Sequence, residues 1–222
     1  MLNCQNPTIA IIDSGIGGAS ILRQLIQKYK VGNYIYYADN LYMPYGNKSK
    51  DWIQSRLKTI IGELQNKYRV DYIIIACNTA SANISSKEYK NVITMRFNKS
   101  HTYFATNLTK KTLKNIEVIS DSELAEEIET NIFNKSYLDQ IIKQKINQYK
   151  LNKIPTLVLG CTHYELVKSI FEKYCFNTTI INNSSFIIDD LDFKFTTKEL
   201  NVYVKTSRNS KSLKETILKL IN

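Results

Sequence analysis

The stretches YIIIACNTASA (72–82) and TLVLGCTHYEL (156–166) share one plan: an apolar run, a cysteine, then small polar residues. In each, the run before the cysteine is apolar at consecutive positions, as in a strand covered on both faces of a parallel sheet. The cysteine then stands at the strand's carboxyl end. In a parallel α/β unit that end faces the ligand crevice, and the amides opening the next helix favour negative charge there. Each cysteine is therefore expected where a thiolate is stabilised.

Working outward, the strand-turn-helix plan repeats. TIAIID (8–13) ends in the turn DSGIGG, after which Ile21, Leu22, Leu25 and Ile26 recur at helical spacing. YIYYAD (34–39) gives a second strand and MPYGNKS (43–49) a turn, and Trp52, Ile53, Leu57, Ile60, Ile61 and Leu64 trace a helical face. From 91 to about 114 the pattern is weak, although TYFATNLT fits a strand ending at a helix cap. SDSELAEEIET (120–130) reads as an acidic helix, and Leu138, Ile141, Ile142 and Ile146 mark another. Leu166, Val167, Ile170 and Phe171 follow the second cysteine at helical spacing, NTTIIN is a further strand, and a last helix lies near 213–221. Alternating strands and helices predict parallel sheets and an α/β fold.

Composition bounds the rest. A chain of 222 residues, 43% hydrophobic, can bury a real core and fits one large or two small α/β domains. No run approaches the length of a membrane-spanning helix, and MLNCQNPTIAIIDSG has no basic region followed by a long apolar stretch, so no membrane association and a cytoplasmic location are expected. The four cysteines show no metal-ligand spacing or disulfide framework, so no metal is expected and reduced thiols are the default. Cys4 and Cys175 read as inert packing and His101 as a surface or core residue. The net charge of +10 is spread through Asn- and Lys-rich text such as NLTKKTLKN, and no nucleic-acid-binding module is present, so a solvated surface is expected rather than a nucleic-acid partner.

Three chemistries fit the motifs. GIGGAS after a strand, with Asp39 ending the next, approaches a dinucleotide fingerprint, but Ser20 takes its last position and Asp13 stands where a diphosphate would come. A hydrolase using one thiol would pair Cys161 with His163 and leave Cys77 without a task. The third gives both thiols one task, proton transfer on opposite faces of one carbon acid, as inversion of a stereocentre requires. Thiols suit it because their pKa is readily lowered by helix N-termini or nearby charge. Asp13 and His163 are candidate partners for the thiol protons, and the Asn, Thr and Ser residues beside the cysteines could hold a substrate carboxylate and ammonium.

IAIIDSGIGGASIL, YYADNLYMPYGNKS, IIIACNTASA and LVLGCTHYEL, in that order, resemble the cofactor-independent glutamate racemases of the aspartate/glutamate racemase superfamily, over about residues 8–170. The resemblance implies two similar three-layer α/β domains with mainly parallel sheets and the active site in the interdomain cleft. It places residues 1–92 with 182–222 in the first domain and 93–181 in the second. It implies racemisation of glutamate to supply D-glutamate for peptidoglycan, with no cofactor, Cys77 acting on the D-enantiomer and Cys161 on the L-enantiomer. Asp13 and Ser14, Tyr45 and Gly46, Asn78 and Thr79, and Thr162 and His163 match the family's substrate-binding pairs. Thr109 matches a further substrate-binding threonine and Glu129 an acid near the second thiol. Aspartate or another amino acid as substrate, and a non-catalytic binding protein of racemase descent, are the alternatives, and a homodimer is compatible with the family's habits. Two departures stand out: NVITMRFNKSHTYFATNLT replaces a longer family segment, and Glu165 takes the place of the proline after Thr-His-Tyr. A shortened second domain is therefore expected to leave the cleft open and wet, weakening the electrostatics of carbanion formation.

Overall fold

The structure is a computed structural model that describes residues 6–222. Cys4, and the reading of the first five residues as free of a leader, lie outside the described residues.

The first part of the chain runs β1 (Thr8–Asp13), α1 (Ala19–Tyr29), β2 (Gly32–Ala38), α2 (Lys50–Lys67), β3 (Tyr72–Ile75), α3 (Asn78–Ala82) and β4 (Val92–Thr94). The second continues through β5 (Thr102–Thr106), α4 (Asn107–Thr112), β6 (Val118–Asp121), α5 (Leu124–Asn131), α6 (Lys135–Tyr149), β7 (Thr156–Gly160), α7 (Thr162–Leu166), α8 (Lys168–Tyr174) and β8 (Thr179–Asn182). The chain then returns through α9 (Ser185–Ile188), β9 (Leu200–Thr206) and α10 (Lys211–Ile221). Two sheets result, one ordered β4-β3-β1-β2-β9 and the other β6-β5-β7-β8. Every pairing in both is parallel. The fold is α/β with helices flanking each sheet.

Period-2 alternation sorts the first sheet's side chains onto two covered faces. Ile9, Ile11, Tyr34, Tyr36 and Ile74 meet α1, α9 and α10, whereas Ala10, Ile12, Ile35, Ile73 and Ile75 meet α2 and α3. Burying each large apolar side chain of this kind contributes about 2–3 kcal/mol. In the second sheet Phe104, Leu157 and Leu159 pack under α5, α6 and α8. The opposite face has a smaller cluster, Tyr103, Ala105, Val118 and Val158, closed over by Phe97, Leu113 and Phe186. Cys175 is buried in the larger core, as expected of inert packing, and burial pushes its thiol up to about 11.

Some elements differ from the sequence reading. In 120–130, Ser120 and Asp121 end β6 and the helix begins only at Leu124. Asp121 makes that break, accepting from the Glu123 and Leu124 N–H groups at 2.8 and 2.7 Å, so its side chain caps the helix from outside. The edge strands β4, of three residues, and β9, of seven, had no sequence signal strong enough to name them. β9 lies at an edge with only Val204 and Thr206 buried, whereas the interior strand β1 is buried from Ile9 to Asp13.

Candidate active site

Strand ends and the loops after them build the site. Cys77 follows β3 and occupies the position just before α3, and Cys161 stands between β7 and α7 in the same way. Both cysteines line one narrow, nearly filled cavity, with about 10 Å³ of free space, together with Ser14, Tyr45, Gly46, Asn78, Thr79, Thr162 and His163. One thiol comes from each sheet, and each cysteine is only 6% exposed.

The expectation of an open, wet cleft is not met, because the glycines of DSGIGG let the two halves approach closely. A Cβ on Gly15 would lie 2.8 Å from Glu129 Cδ, and one on Gly17 would lie 2.8 Å from the His163 backbone nitrogen. The glycine-rich turn therefore receives the second half of the molecule rather than a diphosphate. Asp39 is not a ribose ligand either. It forms a bidentate pair with Arg56, at 2.6 and 2.9 Å, and accepts from the Tyr45 hydroxyl at 2.6 Å, which fixes the PYG turn.

Asp13 sits behind the cavity wall, fully buried, accepting from the Gly15 N–H at 2.9 Å and the Thr162 hydroxyl at 3.0 Å. Burial pushes its carboxyl up to about 6, against the opposing pull of His163. The Cys77 thiol lies 3.8 Å from Ser14 Oγ. Its pKa departs from the expectation: burial, reinforced by the charge of Asp13, pushes it up to about 12, and the Ala80 N–H at the front of α3 offsets only part of this. Dehydration outweighs so short a helix terminus, and Cys77 rests as a thiol at neutral pH.

On the other wall, Cys161 Sγ is 3.9 Å from His163 Nδ1, and His163 Nε2 is 2.6 Å from Glu129 Oε2. Burial alone would lower the imidazole's pKa, but its hydrogen bonds to Cys161 and Glu129 carry it well above the ordinary value. Glu129 also accepts from the Ile16 N–H at 2.9 Å, so one carboxylate ties α5 to the turn after β1.

Thr109 is fully buried one layer behind the cavity, in a hydroxyl triangle with Thr79 and Thr106 whose edges are 2.9, 3.2 and 3.0 Å. Thr106, unnamed in the sequence reading, lines the cavity beside Thr79, as do Pro44 and Ala125. Its position at the carboxyl end of β5 was the available signal, since the strand rule that selected the cysteines selects it too. His101 stacks on Phe186 and is not among the residues lining the cavity. Among the described residues no group of three or more His, Cys, Asp and Glu is arranged to hold a metal ion, and no helix is long and apolar enough to cross a membrane.

An α/β chain with two parallel sheets, each presenting a strand-end cysteine to one shared cavity, has the architecture of the amino-acid racemases. Glutamate racemase 3 of Caldanaerobacter subterraneus subsp. tengcongensis is 31% identical over 191 residues, covering 74% of this chain and 69% of that protein. A glutamate racemase of Clostridium botulinum is 30% identical over 196 residues, 76% of each. Escherichia coli glutamate racemase, solved in complex with L-glutamate and the activator UDP-MurNAc-Ala, has the same fold with a TM-score of 0.81 at 22% identity, covering 98% of this chain and 96% of that one. No family model matches the chain. The chain belongs to the glutamate racemase family, a family of isomerases.

Proposed function

We propose that this protein interconverts L- and D-glutamate by moving a proton at the α-carbon between Cys77 and Cys161, with no cofactor. The observation that carries this reading is the pair of buried thiols, one from each sheet, on the walls of a single cavity. In the L-to-D direction the Cys161 thiolate takes the α-proton and becomes a thiol, leaving the electron pair of the broken C–H bond on the α-carbon and its carboxylate. The Cys77 thiol then delivers its proton to the opposite face and is left as the thiolate. The reverse reaction exchanges these roles.

The electrostatics fit that sequence. Cys77, protonated at rest, is ready to donate. An imidazolium at His163, held by Glu129, offsets the negative charge of a thiolate at Cys161. Asp13, its carboxyl pushed up to about 6 by burial, holds the Thr162 hydroxyl from behind the wall, and the charge of an arriving substrate ammonium favours its ionised form. Ser14, Tyr45, Gly46, Asn78, Thr79 and Thr162 supply hydroxyl, amide and main-chain groups for the two carboxylates and the ammonium, and Thr109 steadies Thr79. Burial strengthens each of these interactions relative to water. We assign residues 6–95 with 183–222 to one lobe and 96–182 to the other, in place of the expected boundaries at 92 and 182, because β4 pairs in the first sheet and β8 in the second, and we assign the product to peptidoglycan synthesis in the cytoplasm.

Incubating the purified protein with L-glutamate or L-aspartate in D₂O, while following optical rotation and α-deuteration, tests the proposal and fixes the substrate. Exchange and loss of rotation are expected with glutamate. Absence of exchange with every acidic amino acid would defeat the enzymatic reading and leave a binding protein of racemase descent.

A further inference from the structure

Asn183 lies where the chain leaves β8 for the first sheet's layer, and it is fully buried. Its Nδ2 donates to Oδ1 of Asn78, which lines the cavity directly after Cys77. The other end of the Asn78 amide, Nδ2, is buried and has no partner in the protein. Buried donors are rarely left without an acceptor, so an orphan on a cavity wall points to a ligand acceptor. A side-chain amide has its acceptor and donor at opposite ends of one plane, so tying the oxygen decides where the NH₂ group points.

The neighbour of Asn183 is anchored from the other wall. The Ser184 N–H and hydroxyl donate to Glu165 at 3.0 and 2.7 Å, and Glu165 belongs to α7, the helix that follows Cys161. Glu165 also accepts from the Ser20 hydroxyl of α1 at 3.3 Å, and Gln24 Nε2 donates to Ser184 Oγ at 2.9 Å. The crossover is thereby tied to both cysteine-bearing segments, and Asn183 is held against Asn78. Glu165, in the place of the family's proline, supplies that anchor.

We infer that Asn183 is a positioning residue: by donating to Asn78 Oδ1 it fixes the Asn78 NH₂ group towards the cavity, as the donor for a carboxylate of the bound amino acid. The inference rests on the glutamate reading above. Asn183→Asp tests it, because the replacement has nearly the same shape and, when ionised, can only accept. Asn78 must then turn its NH₂ group towards residue 183 and its oxygen towards the substrate carboxylate. Above neutral pH, KM for glutamate should rise tenfold or more while kcat changes less than threefold. As pH falls and the introduced carboxyl gains a proton to donate, the ratio of variant to wild-type KM should shrink. Asn183→Ala, which only frees the amide, should give a smaller rise with no recovery in acid, and it serves if the aspartate variant does not fold. A KM within twofold of wild type at all pH values in a folded Asn183→Asp overturns the inference, and so does a fall in kcat with KM unmoved. A wild-type protein inert on glutamate refutes the functional reading instead. The inference is then decided by NMR hydrogen exchange of the Asn78 side-chain amide without ligand. Exchange slower in Asn183→Asp than in wild type supports it, and unchanged exchange overturns it.

Discussion

Gly17→Ala should separate the two walls of the site without disturbing either sheet. The added methyl would sit 2.8 Å from both the backbone nitrogen and Nδ1 of His163, and closer still to Thr162 Oγ1, where ordinary contact begins at 3.4 Å. The shortfall is therefore at least about 0.6 Å, and a backbone nitrogen cannot swing aside as a flexible side-chain tip can. The strain falls across the cleft, since Gly17 has no left-handed backbone conformation that alanine would resist. The walls must part, and with them the Cys161–His163 side recedes from Cys77. Misplacement of reacting groups by about 1 Å costs roughly 100-fold, so a loss of 10- to 100-fold in kcat/KM is expected, about 1.4–2.7 kcal/mol of transition-state stabilisation. Coupled-enzyme detection of D-glutamate formed from L-glutamate gives kcat/KM, and urea denaturation checks that the fold persists. A folded Gly17→Ala protein with kcat/KM within threefold of wild type would refute the claim that this glycine exists for closure.

Gly62→Ala is the matched control: nothing lies within 4 Å of its absent Cβ in α2, so activity should be unchanged and urea denaturation should show about 0.5–1 kcal/mol of added stability. Cys77→Ala and Cys161→Ala should each abolish racemisation, and full activity in either would end the two-thiol assignment. Glu165 is buried and its carboxyl is pushed up to about 7, burial being the main cause. A raised carboxyl pKa contributes stability that is fully present below the unfolded value, near 4.5, and is lost as pH rises through about 7. Glu165→Gln should therefore lose ground to wild type at pH 4.5 and recover by on the order of 3 kcal/mol by pH 8.5. A pH-independent difference in urea denaturation would contradict this. Glu129→Gln removes the carboxylate behind His163, so the step at Cys161 should slow about 10- to 100-fold, with the basic limb of the kcat profile moving to lower pH. An unmoved profile would exclude Glu129 as the partner that holds the imidazolium.

Much of the site was legible because strand ends are legible. Cys77 and Cys161 each follow a fully apolar run, and the parallel-sheet rule carries such a residue to the ligand side of the fold without any knowledge of its neighbours. Asp13, Ser14, Asn78, Thr79, Thr162 and His163 lie beside such ends and came with them. The same rule would have named Thr106, had the weak pattern around β5 been read with equal weight. Asn183 offered no local signal, because its importance arises from a contact with a residue distant in the chain.

The order of apolar runs and turns in the sequence determined the parallel α/β plan, since alternation of period and the ends of strands are local properties of the chain. Only the tertiary structure decided that the two cysteines share one closed cavity and that the glycines of the first turn make room for the opposite wall. It also decided that burial holds Cys77 as a thiol against the pull of a short helix. Proximity and dehydration depend on where distant segments meet, and no stretch of sequence carries that information by itself.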